Sequence, residues 1–267
     1  MRKLFFILFF AILADSVYGR EFSAYSSRWQ TRPLVGVNIP ITKLFKGAET
    51  DYLLSYDDRS FYWQILSVSY FFNERWGLEF NFQAGTSSRI RQRANNFVTN
   101  MQLQYSDNHY VRAGTGADFD EFHSMWGDFH RGYLGIIYRF ERNRFFIYPK
   151  FSIGLIEFST DWGSANLMQK NSNFEHLVSY SRGIRRNGAF IIYSSNLILA
   201  PSVSFGYKLS KRFFLNADVK FSYFRPNFTY EKTTTNLFTQ QSTVEHFRYR
   251  KDIFTLSLGV GLIFVIN

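Results

Sequence analysis

The chain has 267 residues, no cysteine, 20% aromatic residues and a formal net charge of +10, from 31 Lys and Arg against 21 Asp and Glu. Without cysteine there are no disulfides or thiolate metal sites, so backbone pairing and packing must hold the fold. A basic excess suits nucleic acid or an anionic membrane surface, and the start of the chain decides between them.

Residues 1–19 read as a secretory signal peptide. Arg2 and Lys3 precede an apolar run from Leu4 to Leu13 that is too short to span a bilayer, and Val17 and Gly19 suit a cleavage site. The expected mature domain, residues 20–267, holds no apolar run long enough for a membrane helix. For an exported chain the partners of the basic excess are anionic lipid and lipopolysaccharide phosphates; nucleic acid is not expected.

From there the pattern has a period of two, the signature of strands whose side chains alternate between faces. A first strand is expected within Pro33–Phe45, followed by a polar loop over 46–60. A hairpin follows, Phe61–Phe72 and Trp76–Gly85 around Asn73–Arg75, with Glu79, Asn81 and Gln83 on the polar side. The alternation of Phe97, Met101, Leu103 and Tyr105 with Asn100, Gln102 and Gln104 predicts another strand, turning at Ser106 into His109–Phe119. Gly132–Phe140 and Arg144–Phe158 form the next hairpin around Glu141–Asn143.

The clearest signal is Leu197–Phe224. Phe213, Leu215, Ala217, Val219, Phe221 and Tyr223 alternate with Phe214, Asn216, Asp218, Lys220, Ser222 and Phe224 beyond a turn at Ser210–Arg212. A water-facing side is usually rich in Lys and Glu; here it is mostly Ser, Asn, Gln and Gly with a few charges of both signs. That suits a crowded lumen with the apolar side toward lipid. The expected fold is therefore all-β: a closed antiparallel transmembrane β-barrel of about ten strands. It becomes eight if Asn96–Phe119 is a surface excursion. Short turns are expected on the periplasmic side, with long extracellular loops at 159–188 and 225–250. The Thr- and Asn-rich stretch 225–245 is expected to project as a strand pair that offers an edge to a protein partner.

The last segment, Asp252–Asn267, alternates to the end, and its Gly261, Phe264 and Ile266 resemble the C-terminal assembly signal of bacterial outer-membrane proteins. The mature chain as a whole resembles the small outer-membrane β-barrel proteins of Gram-negative bacteria. The resemblance implies integral insertion in the outer membrane and engagement of the outer-membrane assembly machinery. It implies no cofactor and no metal.

Several groups are candidates for chemistry. The inward set Glu79, Arg112, Arg139, Lys150, Lys208, Asp218 and Lys220 reads as a salt-bridged plug, the alternative being a cation-lined, porin-like channel for solutes or ions. Asp118, Asp120, Asp128 and His130 resemble the carboxylate and Asp–His pairs of omptin proteases, although here they sit close together in sequence; the plainer reading is a solvated acidic loop. His123 beside Ser124, His176 near Ser179, and His246 resemble the Ser and His groups of lipid A-modifying enzymes, against the plainer reading of loop histidines. Arg89, Arg91, Arg93, Arg182, Arg185 and Arg186 suit lipopolysaccharide phosphate, as Arg248, Arg250 and Lys251 do, or they mark the membrane border. The expected role is non-catalytic: envelope support, or recognition through the surface loops.

Overall fold

The computed structural model describes residues 28–42, 59–87, 90–117, 129–142, 144–158, 161–171, 175–182 and 196–266. The expected signal peptide and the segment 118–128 lie outside them. Eight staves close an antiparallel barrel. The first is split into β1 (Trp29–Thr31) and β2 (Leu34–Pro40). It is followed by β3 (Ser60–Phe71), β4 (Trp76–Ser87), and β6 (Phe129–Tyr138) with its continuation β7 (Phe140–Arg142). Then come β8 (Phe145–Phe158), β11 (Asn196–Lys208), β12 (Phe213–Phe224) and β15 (Ile253–Ile266). Closure is made where β15 pairs with both β1 and β2, Trp29 opposite Ile266 and Val37 opposite Leu258.

The two faces alternate as the sequence pattern predicts. On β12 the burial switches at every residue, with Phe214, Asn216, Asp218, Lys220, Ser222 and Phe224 turned inward. Apolar side chains such as Val35, Phe80, Ile136, Phe151 and Val260 stand exposed on the outside. In water this would be an aggregating surface; in a bilayer it is the lipid-facing belt. Aromatic pairs ring the short-turn end: Trp29 with Tyr70 at 4.7 Å, Trp76 with Tyr138 at 4.9 Å, and Phe213 with Phe264 at 5.3 Å between ring centres. They mark the interface girdle. The turns there are built by side chains: Asn73 Oδ1 accepts from the backbone N–H of Arg75 and Trp76, and Ser210 Oγ from those of Arg212 and Phe213.

At the opposite end stands a second sheet, the crown. β5 (His109–Ala117), β9 (Asp161–Gln169), β10 (Glu175–Arg182), β13 (Asn227–Asn236) and β14 (Ser242–Arg250) form a second antiparallel sheet in the order β14-β13-β10-β9-β5. In sequence these strands adjoin β6, β8, β11, β12 and β15 respectively, and both sheets keep the same lateral order. The crown strands thus follow, strand for strand, the lateral order of five of the eight staves. The stretches expected as long loops, 159–188 and 225–250, contain β9, β10 and the hairpin β13–β14.

One strand prediction is corrected. Ile90–Tyr105 is a helix, α1, which packs on β5 and β9. Val98, Met101 and Tyr105 recur at the helical spacing and face the sheet, Met101 being fully buried. Leu103, which strand alternation would place beside Met101, is 75% exposed. Gln and Met suit a helix better than a strand. The barrel count is eight, the alternative the sequence left open, with residues 96–117 outside the barrel wall.

Candidate functional site

The lumen is filled in layers. Nearest the short turns, Phe71, Ile137, Phe146, Tyr148, Phe214 and Ile263 form an apolar floor. Glu141 is set into it, accepting from Lys208 Nζ at 2.6 Å and from the Tyr148 hydroxyl, with Arg139 Nε at 3.8 Å. The Arg139 guanidinium lies 3.5 Å from the centre of the Phe71 ring, so floor and ions interlock.

The next layer spans the barrel from wall to wall. Glu79 on β4 takes Arg32 Nη1 at 2.7 Å and Lys150 Nζ at 3.4 Å, while Ser69 Oγ and Asn81 Nδ2 also donate to it. Lys150 on β8 turns to Asp218 on β12 at 2.7 Å, and Ser204 Oγ donates to the same carboxylate at 2.6 Å. Above lies an amide and hydroxyl layer: Gln83 Nε2 donates to Gln64 Oε1, and Ser257 Oγ donates to Asn38 Oδ1. Tyr62 crosses it flat against the wall. This needs glycines at 36 and 259, where a Cβ would come within 2.6 Å and 2.5 Å of the Tyr62 ring and hydroxyl. Arg131 lies over Phe129 at 4.6 Å and Tyr62 at 5.8 Å. A contiguous apolar cluster, including Phe129, Ile156, Ile198, Phe224 and Ile253, then joins the barrel mouth to Met101, Leu167 and Val178 of the crown.

Of the residues singled out from the sequence, Glu79, Lys150 and Asp218 meet directly, Lys208 and Arg139 meet at Glu141, and Lys220 is buried with its Nζ 4.4 Å over the Tyr133 ring. Arg112 is a correction: it is exposed on β5, in the crown and not the lumen, because its strand pairs with β9 and belongs to the second sheet. Sequence reasoning misses Arg32, Arg131 and Glu141. Glu141 sits in a segment that reads as a turn, and Arg32 and Arg131 stand just outside the assigned strand starts. Extending the alternation by one or two residues at each end would find them.

Asp118, Asp120, Asp128, His123, Ser124, Arg89, Arg185 and Arg186 lie outside the described residues. His130 follows inward-facing Phe129 and precedes inward-facing Arg131, so its ring points out of the barrel, stacked on Phe82 at 6.0 Å and across the ladder from Glu157. His176 and Ser179 are three residues apart on β10 and project from opposite faces. His246 Nδ1 is 3.5 Å from Glu231 on the exposed hairpin. Arg91 and Arg93 belong to α1 and Arg182 ends β10. Gly261, Phe264 and Ile266 are on the closing strand. A Cβ at Gly261 would come within 2.2 Å of the Pro33 carbonyl oxygen, so that glycine permits the seam. Among the described residues no group of three His, Asp or Glu side chains is placed to hold a metal ion.

No protein-family model and no curated protein matches this sequence. Among solved structures, the chain is similar to a major outer membrane protein from Thermus thermophilus (8% identity, TM-score 0.38, covering 89% of this chain and 99% of that one). It is also similar to the outer membrane protein AlkL in lipid bilayers (15%, 0.31, covering 93% and 95%). A third is the outer membrane protease OmpT from Escherichia coli (7%, 0.33, covering 93% and 99%). With its closed wall, apolar outer belt and aromatic girdle, the chain has the build of a membrane-spanning β-barrel.

Proposed function

We propose that this barrel is a non-conducting, non-catalytic outer-membrane anchor whose working part is the crown. The observation that carries this is the ion-pair layer, in which Arg32, Glu79, Lys150 and Asp218 reach from β1–β2 to β12 and are each less than a tenth exposed. An eight-stranded barrel is just wide enough for side chains to fill, and these side chains fill it. A continuous aqueous path along the axis would require the pairs to part and leave buried charges uncompensated. The crown presents the exposed strand β14, with Val244, Glu245, His246, Arg248 and Arg250 facing solvent, a surface suited to recognition of a protein or of lipopolysaccharide. Insertion through the assembly machinery and export by residues 1–19 belong to the same reading. Planar-bilayer recording of the full chain tests it: no ohmic steps are expected, and a reproducible step conductance from the purified protein would overturn the reading.

A further inference from the structure

We propose that the lumen compartment around Lys220 binds one small inorganic anion of halide size. Three cations, Arg32, Lys150 and Lys220, face two carboxylates, Glu79 and Asp218, across the middle of the barrel. Both carboxylates are committed: Glu79 to Arg32 and Lys150, Asp218 to Lys150 and Ser204. Lys220 is the third cation: Asp218, two residues away on the same inward face, is its nearest opposite charge but takes its hydrogen bonds from Lys150 and Ser204. Lys220 is 2% exposed, and among the described residues its ammonium has an aromatic face to rest on, the Tyr133 ring, but no hydrogen-bond acceptor.

The groups around it are donors in waiting. Ser202 stands directly across the β11–β12 ladder from Lys220, and Ser222 is the next inward residue on β12. The hydroxyls of Ser202, Ser222 and Tyr133 are all buried without a hydrogen-bond partner among the described residues. An ammonium has three protons to give and accepts none, and hydroxyl protons rotate toward whatever accepts them. A charge beside such groups in a low-dielectric lumen is costly unless an opposite charge neutralises it. Water supplies acceptors but no charge, and with three cations to two carboxylates one positive charge is left over. The surrounding side chains pack the barrel closely, which excludes an organic acid and restricts the ligand to a single-atom anion. The site does not depend on what the crown recognises.

Bromide is the probe. Crystals of the full chain grown with sodium bromide are expected to show an anomalous peak within hydrogen-bonding distance of Lys220 Nζ. In detergent at constant ionic strength, the thermal midpoint is expected to rise when chloride or bromide replaces gluconate, which is too large for the lumen. Lys220→Met is expected to abolish that rise while keeping the fast gel mobility of the unheated barrel. Ser202→Ala and Tyr133→Phe should each weaken the apparent halide affinity about tenfold. Absence of the peak at Lys220 would overturn the proposal, and so would a halide response that survives Lys220→Met, which would mean adventitious ions only. If Lys220→Met does not fold, Ser202→Ala decides: an unchanged halide response overturns the site.

Discussion

The lumen and the crown solve the same problem, what to do with the inner face of a β-wall, with different chemistry. Inside the membrane the wall closes on itself and its inner face is polar: Glu79 and Asp218 are neutralised by Arg32 and Lys150, and amides and hydroxyls fill the gaps. Above it the five crown strands do not close, and their inner face is covered by a helix, with Met101 packed among Ala165, Leu167 and Val178. Lipid takes the apolar side of the lower wall, so the polar side must turn in. In the crown water is outside, and the apolar side turns in as it does in a soluble protein. One strand run can thus switch its rule where it leaves the bilayer. The aromatic Phe254, tilted against Tyr223 at 5.1 Å near the Asp252 that accepts from the Tyr223 hydroxyl, lies at that crossing.

That contrast can be broken from either side. The largest effect is expected from Glu79→Ala, which strips Arg32 of its carboxylate and leaves a buried charge without its partner. Folding free energy in lipid or detergent, read by urea titration, should fall by about 3–5 kcal/mol; a loss within about 1 kcal/mol would mean that the layer is hydrated and the lumen open. Met101→Ala should cost about 2–3 kcal/mol, but confined to the crown: amide exchange should accelerate in α1, β5 and β9 while the barrel keeps its resistance to heat in gels. Global loss of that resistance would show that lumen and crown form one cooperative unit. The smallest effect belongs to Leu103→Ser, expected within about 0.5 kcal/mol because that side chain is exposed. A cost comparable to that of Met101→Ala would restore the strand reading of that segment.

The barrel is legible because its residues obey a single period. From Phe213 to Phe224, and again from Ile253 to Ile266, every second residue goes to lipid, and no competing local preference interferes. The segment at Met101 misleads because Phe97, Met101 and Tyr105 fit both a period of two and a period near 3.6, and Leu103 alone breaks the second. Only the position of β5 and β9, decided far away in sequence, chooses between them. The continuity of the crown is hidden for a similar reason. The strand pair expected over 225–245 is there as β13 and β14, but its joining to β10 in one sheet carries no apolar stripe to announce it. Within the lumen, the alternation assigns Lys150, Lys208, Asp218 and Lys220 their inward side but not their partners. Who meets whom depends on registers such as Ser202 opposite Lys150, and these emerge only once the wall has closed.

Arg32 lies in the break between β1 and β2, at the seam where the N-terminal stave meets the last strand. Its guanidinium is one of the bolts of the central ion layer, and its own backbone N–H reaches across to the carbonyl of Ser67. Drawing the two ends of the wall together therefore also drives this charge home against Glu79. Zipping the cylinder shut and corking it are a single act.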